Sequence, residues 1–176
     1  MNTATPRDNT DEFVISRLFD APRELMWKVW TETEHLKQWF GPKGVTMPSC
    51  SMSLRPGGVF HYCMRMPDGN EMWGKWIFRE IVAPERIVVI TSFSDAAGNL
   101  TRHPMNPDWP LEMLSTTLFS EQQGKTKITI HWAPHNATAA ERKTFEDEKA
   151  SMHQGWSGTF EQLERYLEEA QASSRN

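Results

Sequence analysis

The chain has 176 residues, with 19 Lys and Arg against 23 Asp and Glu, for a formal net charge of −4. This balance, with no run of Lys or Arg longer than a pair, excludes the basic footprint of a nucleic-acid binder, and the length suits one domain with a real core. No apolar run reaches membrane-spanning length and the first twelve residues lack the apolar centre of a signal peptide, so a soluble, cytoplasmic protein without a membrane span is expected.

Taken in order, residues 1–11 are polar and read as a disordered tail. Glu12 to Phe19 alternates as a strand, with Phe13, Ile15 and Arg17 on one side and Val14 and Leu18 on the other. Asp20 stands as a helix N-cap with Pro22 just inside, predicting a helix over Ala21–Thr31 that buries Leu25, Met26, Val29 and Trp30. Thr33 opens a short second helix through Lys37, and Trp39-Phe40-Gly41-Pro42 closes it.

From Val45 the pattern changes to strands, at about 45–54, 58–66, 70–82, 86–94, 112–121 and 125–132. Short Gly- and Pro-containing turns join most of them, so successive strands are expected as antiparallel neighbours. Phe60, Tyr62, Met64 and Met66 share one face, and so do Thr126, Ile128, Ile130 and Trp132. The strands at 70–82 and 112–121 are apolar on both faces and leave their inward side open. Asp95–Pro110 is too long for a turn and carries three prolines without a period, the kind of loop that is often functional or mobile. Cys50 and Cys63 fall on adjacent predicted strands, where a disulfide stays open.

The last element is a predicted helix over Thr138–Glu169. Phe145, Met152, Trp156, Phe160, Leu163 and Leu167 recur at helical spacing on one face, while Glu141, Arg142, Lys143, Glu146, Asp147 and Glu148 make a solvated face. Thr138 and Glu141 fit a capping box. Gly155 and Gly158 break the pattern, at roughly 1 kcal/mol each relative to Ala. They imply either close approach to a neighbour or open space beside Trp156. The order of elements gives an α+β fold: a curved antiparallel sheet of about seven strands, two short helices, and a long C-terminal helix across the sheet. Curvature leaves a gap that one helix does not fill. One domain spans 12–170, and 171–176 is a tail.

Phe19-Asp20-Ala21-Pro22 with Trp27 and Trp30, then Trp39-Phe40-Gly41-Pro42, resembles the start of the START-like helix-grip (SRPBCC) proteins. Arg55-Pro56-Gly57-Gly58, Gly74, Pro84-Glu85-Arg86 and Gln154-Gly155-Trp156 extend the resemblance from about Phe13 to Leu167. Within that superfamily the branch it resembles is the C-terminal domain of the activator of heat-shock protein 90 ATPase. The resemblance implies the helix-grip fold with a cavity between sheet and C-terminal helix. Relatives include lipid carriers, hormone sensors, aromatic cyclases and co-chaperone domains, so it does not imply one activity. Eukaryotic co-chaperones add an N-terminal chaperone-binding domain, which the polar residues before Phe13 are too few to form; a chaperone contact has no support of its own.

Catalytic signatures such as Gly-x-Ser-x-Gly, His-Glu-x-x-His or a phosphate loop do not occur. His131 and His135 have a metal-like interval, but at a strand end followed by Pro134 they read as surface residues, and neither metal nor cofactor is expected. His61 reads as solvent-facing, and His153 borders the apolar stripe near a pocket rim. Glu71, Glu80 and Glu112 read as surface ion-pairing groups, with a catalytic role only if one faces inward. The candidate site is an aromatic and methionine set: Trp39, Phe40, Tyr62, Met64, Trp76, Phe93, Trp132, Met152, Trp156 and Phe160. Flat rings, thioethers and few polar handles suit a small hydrophobic or aromatic ligand. Such a ligand would enter between the last helix, the Asp95–Pro110 loop and the Trp39–Pro42 corner of a monomer or homodimer. An enzyme of cyclase or hydrolase type and a protein-interaction module are the alternatives.

Overall fold

The strand pattern closes into one antiparallel sheet in a computed structural model, described here for residues 12–174. The elements are β1 (Phe13–Phe19), α1 (Arg23–Thr31), α2 (Thr33–Trp39), β2 (Thr46–Met52), β3 (Val59–Arg65), β4 (Glu71–Val82), β5 (Arg86–Ser94), β6 (Leu100–Thr101), β7 (Met113–Gln122), β8 (Lys125–Pro134), α3 (Ala139–Asp147) and α4 (Lys149–Ser174). Sheet order is β1-β8-β7-β5-β4-β3-β2, with the two-residue β6 paired to β5. The first strand therefore joins the last, Phe13 opposite Trp132, and α1 and α2 carry the chain from that edge to the β2 edge. The tail expected at 1–11 lies outside the described residues.

Alternation sets the inner face. Phe60 on β3, Ile128 and Ile130 on β8 and Phe13, Ile15 and Phe19 on β1 are buried, whereas Val14 and Leu18 are about half exposed on the other side. Register resolves the two ambiguous strands. Phe60 pairs Trp76 and Tyr62 pairs Gly74, so Met72, Gly74, Trp76 and Phe78 face inward, up to a bulge between Phe78 and Glu80. On β7 the buried positions are Met113, Ser115, Thr117 and Phe119. The same register separates the cysteines. Cys63 opposes Ser49 and Cys50 opposes Tyr62, which turns the two thiols to opposite faces, and both are free.

The helices depart from expectation at their ends. Asp20 caps nothing: α1 starts at Arg23 behind Pro22, which holds φ −68° and ψ 151° without a side-chain cap. The Asp20 carbonyl instead accepts a hydrogen bond from Gln171 Nε2 at 2.9 Å, and α4 runs on through Ser174 rather than ending near Glu169. The final helix is also two helices. Glu148, at φ −97° and ψ 7°, separates α3 from α4. A break there sets the carboxylates of Glu146, Asp147 and Glu148 ahead of the positive end of α4 instead of inside one continuous helix. The apolar stripe survives the break, for Phe145, Met152, Trp156, Phe160, Leu163 and Leu167 are all buried.

Candidate ligand cavity

The curved sheet and α4 do not close on each other. Between them lies a cavity of about 560 Å³. The inner residues of β3, β4, β5, β7 and β8 form its floor, and Met152, Gly155, Trp156 and Thr159 of α4 form one wall. Phe40, Gly41 and Pro42 make a corner, which Gly41 turns at φ +118°, a conformation that L side chains rarely adopt. His103, Asn106, Trp109 and Pro110, from the connection between β6 and β7, line the remaining side.

Eight of the ten expected residues stand on this lining: Phe40, Tyr62, Met64, Trp76, Phe93, Trp132, Met152 and Trp156. Trp39 and Phe160 do not reach it. Trp39 lies behind Trp30, ring centroids 4.8 Å apart, and donates its indole N–H to the Val29 carbonyl at 2.9 Å. Phe160 is fully buried edge-on against Phe19 at 5.4 Å. Helical and strand periodicity identifies the inward face but not the depth along it, and these two rings fill the floor of the core.

Tyr62 owes its pose to Gly74. A Cβ built on Gly74 would stand 2.6 Å from both Cζ and Oη of Tyr62, so the phenol ring lies over the bare backbone of the neighbouring strand. Phe60 stacks on the same ring at 4.9 Å and Phe40 meets it edge-on at 5.6 Å. Burial pushes the phenol pKa up to about 12, against the smaller opposing effect of a hydrogen bond with Trp76.

The polar groups of the wall are few. Trp132 Nε1 donates to Ser115 Oγ at 3.0 Å, and Thr159 Oγ1 donates to the Gly155 carbonyl at 3.0 Å. The indole N–H groups of Trp30 and Trp156 are buried and have no acceptor; the two rings stack at 6.4 Å with 18° between planes. His103 Nδ1 accepts from the Met105 amide at 3.0 Å, and its ring meets Phe93 edge-on at 4.8 Å. Burial lowers the His103 pKa, with the Glu148 charge acting in the opposite direction.

Glu141 ties this side of the cavity to α3. It was expected in a solvated face but is 6% exposed. One carboxylate oxygen accepts from Arg102 Nη1 at 3.0 Å and from the Leu111 amide at 2.8 Å, the two ends of the segment that carries His103, Asn106 and Trp109. The other oxygen accepts from the Thr138 amide at 3.0 Å, completing the capping box. Burial alone would raise its pKa, but these hydrogen bonds outweigh it and hold the carboxyl down to about 2. Its place four residues before Phe145 puts Glu141 on the buried side of α3, but its partners Arg102 and Leu111 arrive from a loop 30 residues or more away.

The other expected polar candidates stand elsewhere. His153 is exposed and off the lining, and His103 is the histidine on the wall. Glu71 pairs with Arg65 at 2.8 Å and Glu80 with Arg86, and neither they nor Glu112 line the cavity. His61, expected to meet solvent, is half-buried: it stacks on Trp73 at 4.9 Å and hydrogen-bonds the Asp95 carbonyl at 3.1 Å. His131 pairs with Glu12, and His135 lies 3.4 Å from Arg79. Among the described residues no group of three His, Cys, Asp or Glu is placed to hold a metal, and no helix is long and apolar enough to cross a membrane.

The family model described as activator of Hsp90 ATPase homolog 1-like protein matches residues 20–168. A protein from Nitrosomonas europaea is 28% identical over 94% of this chain and 99% of its own, with a TM-score of 0.74. One from Mycobacterium smegmatis is 26% identical, covering 90% of this chain and 91% of its own, at 0.73. One from Arthrobacter aurescens is 25% identical, covering 92% and 88%, at 0.74. No curated protein matches the chain.

Proposed function

The chain belongs to the activator of Hsp90 ATPase homolog 1-like family, and from that premise we propose that it binds a small hydrophobic or aromatic molecule in the cavity between sheet and α4. The observation that carries this reading is the cavity itself. Its volume of about 560 Å³ falls within the range of small-molecule sites, and its walls are largely aromatic rings and thioethers. A core meant only for stability would be filled, since each unfilled methyl-sized void costs on the order of 1 kcal/mol. The fold serves ligand-binding and regulatory domains alike, so the cavity rather than the architecture supports the assignment.

Native mass spectrometry of gently purified protein, beside a thermal-shift panel of hydrophobic and aromatic compounds, tests it. Gly155→Leu supplies the matching control, because Gly155 lines the cavity and a Cβ there meets nothing within 4 Å. The variant keeps the fold and loses at least tenfold in affinity for any compound the wild type binds. Equal affinity in wild type and Gly155→Leu would place the compound outside the cavity. A panel without a single binder contradicts the reading.

A further inference from the structure

The cavity has a chemical preference that its apolar walls alone do not express. Among its described lining residues there is no Lys, no Arg and no Asp. The ionisable ones are Tyr62, His103 and Glu148. Tyr62 carries no charge at neutral pH, because burial pushes its pKa up to about 12, and burial likewise favours the neutral form of His103. The negative charge of Glu148 is therefore what a ligand meets, and it meets no cation.

Glu148 stands three residues after Phe145 and four before Met152, on the apolar side of the last helical stretch, and at the α3–α4 junction it lines the cavity beside Ser151 and Met152. Standing just before the first turn of α4, it already offsets the partial positive charge of that helix end. Nearby cations are engaged elsewhere: Lys149 pairs with Glu146 at 2.7 Å and Arg102 with Glu141 at 3.0 Å. A carboxylate or phosphate drawn into this cavity would lose hydration without gaining a counter-ion, and would be repelled by Glu148 as well.

Beside its hydroxyl and amide groups the lining carries a ring donor, His103. The indole N–H groups of Trp30 and Trp156 lack an acceptor, but both atoms are closed off from the cavity surface and do not reach a ligand as they stand. With Nδ1 accepting from the Met105 amide, neutral His103 carries its proton on Nε2, which makes it a donor on the lining. Resting on the binding function proposed above, we infer that the cavity selects uncharged ligands that carry a hydrogen-bond acceptor, and that Glu148 is the specificity-determining residue that turns carboxylates away.

Three naphthalenes of similar shape test this on the full chain by isothermal titration: 2-acetylnaphthalene, 2-naphthoate and 2-ethylnaphthalene. The ketone binds at least tenfold tighter than the carboxylate and several-fold tighter than the hydrocarbon. Glu148→Gln brings the carboxylate several-fold closer to the ketone in affinity. Naphthoate binding as tightly as the ketone overturns the charge selection, and ethylnaphthalene equal to the ketone overturns the acceptor requirement. An unchanged ketone-to-carboxylate ratio in Glu148→Gln removes Glu148 from the account. If all three fail to bind where other hydrophobic compounds do, the selectivity is wrong and the binding function stands; if no compound of any kind binds, both fall.

Discussion

Replacing Gly155 or Gly158 with alanine should stabilise the protein. Both lie in the interior turns of α4, neither has a positive φ, and a Cβ built on either meets nothing within 4 Å. Two terms then remain. Alanine is favoured over glycine by about 0.8–1.0 kcal/mol in a helix interior, and part of that gain comes from the narrower unfolded ensemble. Neither is opposed by a clash, and the Thr159 hydroxyl bond to the Gly155 carbonyl does not involve the new methyl group. Each substitution should add roughly 1 kcal/mol, a rise of about 2–4 °C in Tm for a chain of this size. In urea the midpoint should move up by about 0.5 M if m is near 2 kcal/mol/M, with m itself unchanged. Equilibrium unfolding followed by far-ultraviolet circular dichroism measures both quantities. A fall in Tm for either variant would mean that the glycine backbone touches something, and the open space beside Trp156 would lose its support.

Further outcomes follow from single contacts. Gly74→Ala should cost about 1–3 kcal/mol, because the new methyl displaces a ring held by Phe60 and Phe40; in a Tyr62→Ala background the same change should cost little, and a double-mutant cycle by urea unfolding reads the difference. Glu141→Gln should remove roughly 2 kcal/mol, allowing for the half-exposed Arg102 partner, and should raise hydrogen exchange across the segment from Arg102 to Leu111. The Glu141 carboxyl is lowered from its ordinary 4.5 to about 2, so its contribution is fully present above pH 5 and is lost as pH falls through 4.5 toward 2. An acid unfolding profile of wild type and Glu141→Gln should therefore converge below about pH 2.

Much of this arrangement is legible in the residues. Alternation over Phe60–Met64 and Thr126–Trp132 and helical spacing over Met152–Leu167 identify the inner faces, because each side chain there obeys one period. Where both faces are apolar, as on β4, only the pairing of Tyr62 with Gly74 decides, and pairing is a long-range fact. Depth is illegible for the same reason: Trp39 and Trp156 look alike in sequence, yet one fills the core and the other lines the cavity. The break at Glu148 escapes a period count, since the stripe continues across it, although three successive carboxylates mark the place. His103 escapes it as well, and so do the partners of Glu141, although its spacing from Phe145 puts Glu141 itself on the inner side. Their roles come from a connection without regular structure that folds back against α3, and no local pattern encodes where such a segment lands.

Eight tryptophans supply a direct reading of whether the cavity is a binding site. Indole ¹⁵N–¹H resonances recorded during titration with 2-acetylnaphthalene report each ring separately. Trp30, Trp73, Trp76, Trp109, Trp132 and Trp156 line the cavity, whereas Trp27, packed edge-on against Phe119, does not. Saturable shifts among those six, with Trp27 unmoved, are the predicted result. Shifts confined to Trp27, or none at all across a panel of hydrophobic compounds, would contradict it.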